Sequence, residues 1–315
     1  MSKFQYKYYL LENRASLISS EDSFFTSKKI TDCPFTDSLL SFAYFDLRQW
    51  EEKFHEADRA LMQYYKTREP ALLDPVRLVV NAFQNAHPFF AYPGLVWTDR
   101  LAQAAGCKDP TKLLPHKELS HIPANLDAMQ RQILFLFHTV LDAELKDIDF
   151  SARVHEYEKA SRLNRFDFQS MQISYEPVGG VSFTDVLYPK NIYDVIDFSL
   201  RECIRRNITM RRCKNCGKYF ALTVHGSTEY CSRVFDSRGR TCKEVGAMRQ
   251  YVQSHAQDEL LKIYRREYKR RFAWIRAGKI SQEAFSAWSK EAQKEKERCE
   301  NGEISQKEFV RWLKQ

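Results

Sequence analysis

Apolar residues recur at helical spacing through much of the first half of the chain. Between residues 38 and 65 the pattern predicts helix, and it is carried by Phe42, Phe45, Trp50, Phe54 and Leu61. A second helix is predicted from Pro75, because proline is tolerated in the first turn of a helix. The apolar stretch 124–145 predicts a third helix, which belongs in a core.

The pattern changes between residues 169 and 186. Two β-prone runs flank Gly179 and Gly180, which is typical of a β-hairpin. Helical periodicity returns over residues 192–207. The chain is therefore predicted to be mainly α, with a helical N-terminal domain, a small β element and a helical C-terminal tail.

The C-terminal tail contains a repeat with a period of 24 residues, AGKISQEAFSAW at 277–288 and NGEISQKEFVRW at 301–312. Each copy has a glycine suited to a helix C-terminus and a serine suited to an N-cap. Four aromatic residues of the two copies are predicted to pack into a helical core: Phe285, Trp288, Phe309 and Trp312. The alternative is that they form a helix face that binds a partner protein.

Four of the eight cysteines lie within thirty residues, at Cys213, Cys216, Cys231 and Cys242. Two cysteines separated by two residues can chelate one metal ion in a tight turn, here closed by Gly217. Thr241 and Glu244 form a capping-box pattern that would place Cys242 at the start of a helix, where the dipole favours a thiolate.

The runs KYFALTV and STEYC, on either side of His225 and Gly226, predict a hairpin between the second and third cysteines. The CxxC turn at Cys213 and Cys216 (the knuckle), the hairpin and the helix together indicate a treble-clef zinc finger. Four sulfur ligands indicate structural Zn²⁺. The alternatives are four independent structural cysteines, or His225 in place of one cysteine. The other four cysteines are read as buried small side chains or free thiols: Cys33, Cys107, Cys203 and Cys299.

The segments CKNCGKYF, TEYCSR and TCKEVGAMR resemble an uncharacterised bacterial domain of unknown function. They are more distantly similar to the CGNR-type treble-clef finger, in which a helical domain precedes a zinc finger thought to bind DNA. The resemblance covers roughly residues 205 to 255 and implies a zinc-binding treble clef. The chain departs from the CGNR pattern because SRVFDSRGRT separates its last two cysteines and no CGN follows. No base-reading residue is carried over.

The formal net charge of +8 is distributed unevenly. Residues 1–200 hold 22 Lys and Arg against 27 Asp and Glu, residues 201–250 hold 12 against 4, and residues 251–315 hold 15 against 10. The concentration of positive charge in residues 201–315 favours a surface in this part of the chain that binds a polyanion. The predicted nucleic-acid contacts, with DNA preferred, are Arg211, Arg212, Lys214, Lys218, Arg233, Arg238, Arg240, Lys243 and Arg249.

Two other interpretations of the basic residues remain open. They could compensate the negative charge of a zinc ion bound by four thiolates, or form a solvated surface. In that case the chain is a protein-interaction module whose zinc finger is purely structural. A protein partner would bind through the N-terminal domain or the helical tail.

No dinucleotide, P-loop, zinc-protease or nucleophile-elbow motif occurs, so a non-enzymatic role is expected. The N-terminus has no secretory signal pattern, and no apolar run is long enough to cross a bilayer. A cytoplasmic location without a membrane partner is therefore expected. The predicted domains are a helical domain at 1–195, which binds a ligand or partner, the zinc-finger module at 196–255 and the basic tail at 256–315.

Overall fold

A computed structural model describes residues 5–20, 28–104, 106–222, 227–254 and 259–314. It divides into two compact units, Met1–Cys213 with Gly217–Glu229, and Lys214–Cys216 with Tyr230–Gln315. The domain boundaries at residues 195 and 255 stay a prediction. Most elements are helical, so the predicted mainly α class is confirmed. No helix among the described residues is both long and apolar enough to traverse a lipid bilayer.

The first unit contains a five-stranded antiparallel sheet in the order β3-β2-β1-β5-β4. Its strands are β1 (Gln5–Leu11), β2 (Arg14–Ser20), β3 (Lys28–Pro34), β4 (Ile173–Val178) and β5 (Ser182–Leu187). The hairpin predicted around Gly179 and Gly180 is confirmed, and both glycines have positive φ. Strands β1, β2 and β3 were not predicted, because the sequence pattern predicts a helical domain over residues 1–195.

The described residues of the first unit form seven α-helices: α1 (Phe35–Ala43), α2 (Arg48–Thr67), α3 (Asp74–Ala86), α4 (Ala91–Ala104), α5 (Glu118–Leu136), α6 (Phe150–Lys159) and α7 (Ile192–Arg205). Short 3₁₀ turns lie at Pro70–Leu73, Pro88–Phe90, Pro110–Lys112 and Ala143–Leu145, and a π-turn at Phe137–Leu141 extends α5. Aromatic residues fill the core between these helices. The rings of Phe83 and Phe90, for example, stack with centroids 4.0 Å apart.

The predicted helix at 38–65 is two helices, because the chain leaves helical geometry after Ala43. The break is stabilised from α5, where the Gln130 side-chain amide donates to the carbonyl oxygens of Phe42 at 2.7 Å and Phe45 at 2.9 Å. The Phe42 carbonyl, in the last turn of α1, also accepts the Phe45 amide at 3.1 Å, and Phe45 lies in the linker between the two helices. The buried Gln130 side chain therefore ties both carbonyls to α5 at the point where α1 ends.

The second unit contains α8 (Cys242–Ser254), α9 (Glu259–Arg276), α10 (Gln282–Glu300) and α11 (Gln306–Leu313). Ser281 and Ser305 cap α10 and α11 as predicted, and Ser305 forms a full capping box with Glu308. Phe285 and Phe309 are buried. Trp288 and Trp312 are partly buried and pack against a small core formed by Ala292, Phe309 and Leu313. The predicted inward packing of the repeat is confirmed.

Candidate metal centre

The first two cysteines lie in the turn of a short hairpin, between β6 (Met210–Arg212) and β7 (Tyr219–Ala221). The Cys213 amide donates to Lys218 O at 3.0 Å, and the Gly217 amide donates to Cys213 O at 2.8 Å. Gly217 has φ +72°, where a side chain would be strained. These contacts fold the chain sharply over Cys213–Cys216.

The hairpin differs from the sequence prediction in its pairing. Residues 219–221 pair with residues 210–212, before the knuckle, and residues 227–231 form no strand. The prediction was wrong because the CxxC turn itself reverses the chain, so the strands it joins become neighbours. His225, proposed as an alternative ligand, lies outside the described residues.

Tyr219 anchors this hairpin in the first unit. Its amide donates to Tyr44 Oη at 2.7 Å, and its hydroxyl donates to the buried carboxylate of Asp142 at 2.7 Å. Burial and the Asp142 contact raise the pKa of the phenol. Both contacts cross large stretches of sequence, so no local motif indicates them.

The third and fourth cysteines are held by contacts within the second unit. The Cys242 amide donates to Arg233 O at 3.0 Å, and the Lys243 amide donates to Cys231 O at 3.1 Å. The Glu244 carboxylate accepts from the Thr241 amide at 2.6 Å and from its hydroxyl at 2.9 Å, and these bonds lower the pKa of Glu244. Helix α8 begins at Cys242, as predicted from this cap.

The sulfur atoms of Cys213, Cys216, Cys231 and Cys242 all lie within 4.8 Å of one another. Three of these residues are buried, with 1–2 % of their surface exposed, while Cys216 is intermediate. The four sulfurs could therefore hold a metal ion. The predicted cluster is present.

The spacing of Cys216 and Cys231 fits a metal site with tetrahedral sulfur ligands. The Cys216 and Cys231 sulfurs are 3.7 Å apart. A disulfide would require about 2.05 Å, whereas Zn–S bonds of about 2.3 Å in a tetrahedron place neighbouring sulfurs about 3.8 Å apart. In addition, the Asn215 side-chain amide donates to the Cys242 sulfur at 3.2 Å. This donor, which the sequence analysis missed, would stabilise a thiolate.

The remaining cysteines stand apart from this centre. Cys33 and Cys203 are buried, and burial raises the pKa of both thiols, to about 12 for Cys203. Cys107 and Cys299 are partly exposed free thiols. The interpretation of all four as buried or free thiols is confirmed.

The basic residues predicted to contact nucleic acid fall in both units. Arg211, Arg212 and Lys218 flank the hairpin of the first unit, and the other six lie in the second unit. Seven of the nine are exposed, whereas Arg211 and Arg233 are only partly exposed.

Several of these cations are engaged by protein groups. Arg240 forms an ion pair with Asp236 at 2.7 Å, and its hydrogen bond lowers the pKa of Asp236. The guanidinium of Arg249 lies over the Phe235 ring at 4.2 Å. In contrast, the exposed side chains of Arg238 and Lys243 form no ion pair with any described residue. Arg212 and Lys218 also form no ion pair with a described residue, but they lie over the rings of Tyr219 and Tyr44.

Gly246 on α8 is required for close packing near the cysteines. A Cβ atom there would lie 2.2 Å from the Tyr230 ring, and the Tyr230 hydroxyl is fixed by a bond to Gln250 at 2.9 Å. Gly246→Ala is therefore expected to destabilise this region by roughly 1–3 kcal/mol through overpacking. Hydrogen exchange of residues 230–251 would measure it. Gly106→Ala is the matched control, since its Cβ would meet no atom within 4 Å. Equal protection in both variants would contradict the packing argument.

Residues 167–315 match the model of a Family of unknown function (DUF6076). The matched segment runs from the start of the β4–β5 hairpin through the tail and includes all four clustered cysteines. It supports the resemblance to an uncharacterised domain, while the more distant CGNR similarity gains no support. No curated protein and no solved structure matches the chain.

Proposed function

We propose that the four cysteines bind one structural Zn²⁺ in a treble-clef arrangement, and that the basic residues around it bind nucleic acid, preferentially DNA. The observation that carries the zinc assignment is the cluster of four sulfurs within 4.8 Å of one another, of which the Cys216–Cys231 pair has the spacing expected in a ZnS₄ tetrahedron. Four protein ligands leave no open coordination position for catalysis. The role of the metal is therefore to hold the chain around it.

The nucleic-acid assignment is supported by charge. The second unit carries 21 Lys and Arg against 12 Asp and Glu, and the segment between the last two ligands presents Arg233, Arg238 and Arg240. Lysine and arginine side chains without protein counterions can replace the cations condensed on DNA phosphates. Arg238 and Lys243 meet this description best, because they are exposed and form no ion pair with a described residue, whereas the exposed Arg212, Lys218 and Arg249 each lie over an aromatic ring.

The proposal predicts salt-dependent binding of the zinc-loaded full chain to mixed-sequence duplex DNA. Fluorescence anisotropy should show log affinity falling linearly with log salt concentration. The double variant Arg238→Glu/Lys243→Glu should bind more weakly at low salt. Its salt slope should be smaller in magnitude by about 2, since roughly one unit is lost per phosphate contact.

The matched control is Lys307→Glu/Lys314→Glu, which changes the net charge equally at exposed positions of the tail. It should leave most of the affinity intact. Equal losses in both double variants would mean that binding depends on net charge alone. No binding of duplex DNA or single-stranded RNA at low salt would favour the protein-interaction module instead.

A further inference from the structure

Helix α9 carries a line of positive charge along its exposed face. Between residues 260 and 276 the sequence has seven Lys and Arg and one carboxylate, Glu267. Five exposed residues follow one another at intervals of three or four, the spacing of a single helix face, and form this basic line: Lys262, Arg266, Lys269, Ala273 and Arg276. Four of the five side chains are cationic. At a rise of 1.5 Å per residue, the basic line is about 21 Å long.

The opposite face of α9 packs against α10 and α11. Leu260, Ile263 and Tyr264 contact the small core of the tail, and the Tyr268 ring meets the Phe285 ring of α10 in an edge contact, with centroids 5.1 Å apart. A helix that binds a membrane surface buries its apolar face in the lipid, and in α9 that face is already covered by protein. The packing holds the basic line on the outer side of the tail.

The cations of α9 fall into two sets. Those beside the basic line are engaged by protein groups, in the pairs Arg265–Tyr251, Arg270–Glu267 and Arg271–Trp288. In contrast, the side chains of Arg266, Lys269 and Arg276 form no hydrogen bond or ion pair with any described residue. The first set therefore has partners within the fold, whereas three uncompensated cations in one line favour an anionic partner from outside the chain.

Helix α10 has the mixed charges of an ordinary solvated helix face. Its exposed Lys294 lies three residues from both Glu291 and Glu297, which are exposed as well, so opposite charges are neighbours on the helix surface. The basic line of α9 contains no carboxylate between its ends. The uncompensated positive charge therefore distinguishes α9 from the neighbouring helix of the tail.

We propose that the basic line of α9 binds the phosphate backbone of a nucleic-acid duplex, as a second contact surface outside the residues assigned around the cysteines. The inference rests on the proposed nucleic-acid function and extends it to the helical tail. Duplex DNA carries one negative charge per about 1.7 Å of its axis, so a line about 21 Å long faces many phosphates. A single strand fits less well, because proteins bind single strands by stacking bases on aromatic side chains, and no residue of the line is aromatic.

Fluorescence anisotropy of the full zinc-loaded chain with a mixed-sequence DNA duplex, measured across a salt series, tests the proposal. The α9 variant Arg266→Gln/Lys269→Gln/Arg276→Gln removes three charges and no side-chain hydrogen bond or ion pair of the described chain, so its melting temperature should equal that of wild type. Its affinity at low salt should fall roughly tenfold or more, and its salt slope should be smaller in magnitude by about 3. Unchanged affinity and slope would overturn the proposal.

The matched control is Lys290→Gln/Lys294→Gln/Lys307→Gln, which removes the same charge from exposed positions of α10 and α11. It should retain most of the affinity, and an equal loss in both triple variants would overturn the proposal, since the tail would then act through its net charge alone. Arg266→Lys/Arg276→Lys keeps the charge of the basic line and should retain affinity and slope. A loss of affinity in this variant would indicate bidentate arginine contacts to bases and would overturn the assignment to the backbone.

Two comparisons separate the basic line from the residues near the cysteines. If Arg238→Glu/Lys243→Glu weakens duplex binding and the α9 variant does not, the inference on α9 is overturned and the proposed function stands. If only the α9 variant weakens binding, the basic line is supported and the contacts near the cysteines are not. No duplex binding by wild type at low salt would overturn both.

Two other polyanions complete the test. Single-stranded DNA of the same sequence should bind more weakly than the duplex, and tighter binding of the single strand would overturn the assignment to a duplex. Phosphatidylserine-rich vesicles should bind weakly, because the apolar side of α9 is packed against protein. Vesicle binding as tight as duplex binding, and equally reduced in the α9 variant, would favour an acidic lipid surface and overturn the proposal.

Discussion

Cys216→Ser is expected to abolish metal binding and unfold residues 230–251. Zinc content should fall from about one ion per chain to near zero, because serine is a poor zinc ligand and the remaining three thiolates repel one another without it. Structural zinc sites supply apparent binding free energies of about 10–16 kcal/mol in zinc-finger peptides, much of it used for folding. Elemental analysis of the purified chain and hydrogen exchange would measure both effects.

Local unfolding is expected because this segment has little other means of support. The buried apolar side chains described between residues 230 and 251 are Cys231, Cys242 and Val245, and two of these belong to the cysteine cluster. Burying one valine contributes only about 1.5–3 kcal/mol, which cannot offset the conformational entropy of about twenty ordered residues. We therefore expect the segment to stay folded only while a metal ion bridges the sulfur cluster.

Cys299→Ser is the matched control, since this partly exposed thiol lies in the tail, outside the cluster. It should retain the zinc and the protection of residues 230–251. Full zinc content and unchanged exchange in Cys216→Ser would show that the four cysteines are not the metal site. Loss of zinc in both variants would point to general unfolding instead.

Helices were predictable from the sequence where apolar residues at helical spacing form one buried face. The segments at 75–86 and 192–205, together with both tail copies, have apolar residues at regular helical spacing, and the structure has helices there. The first strands lack a comparable signal. In β1 tyrosine occupies both the buried positions 6 and 8 and the outward position 9, and in β2 three serines are buried. Hydropathy therefore does not alternate along them.

The cysteine cluster was predictable from the sequence, whereas the side chains that support it were not. A CxxC turn and a capped helix start are local patterns, so the spacing alone indicated which four cysteines come together. The side chains that hold these elements come from distant positions, as with Asp142 and Tyr44 around Tyr219. Single-sequence patterns carry no information on such contacts.

Acid is expected to destabilise the first unit through His87. This side chain is buried among the rings of Phe42, Phe45, Phe89 and Phe90, and burial lowers its pKa from 6.5 to about 4. Its Nδ1 atom accepts from the Phe89 amide at 3.1 Å. The neutral ring therefore carries its proton on Nε2, which donates to Ser41 Oγ at 2.9 Å.

The direction of the pH effect on folding stability follows from the difference between the His87 pKa in the folded and unfolded chain. The unfolded chain protonates this imidazole below about pH 6.5, and the folded chain does so only near pH 4, so folding stability falls as the pH is lowered across this window. The full loss is about 3 kcal/mol, at about 1.36 kcal/mol per pKa unit. Above pH 6.5 both states are neutral at this position, and His87 contributes no pH dependence.

Urea unfolding of wild type and His87→Gln between pH 4 and pH 7.5 would test this prediction. Glutamine can keep one donor and one acceptor at this site but does not titrate. The variant should therefore lose about 3 kcal/mol less than wild type on acidification, whatever its stability at pH 7.5. Ser41→Ala removes the hydrogen-bond partner and keeps the imidazole, so it should retain the acid loss. Parallel pH profiles for wild type and His87→Gln would place the acid sensitivity elsewhere.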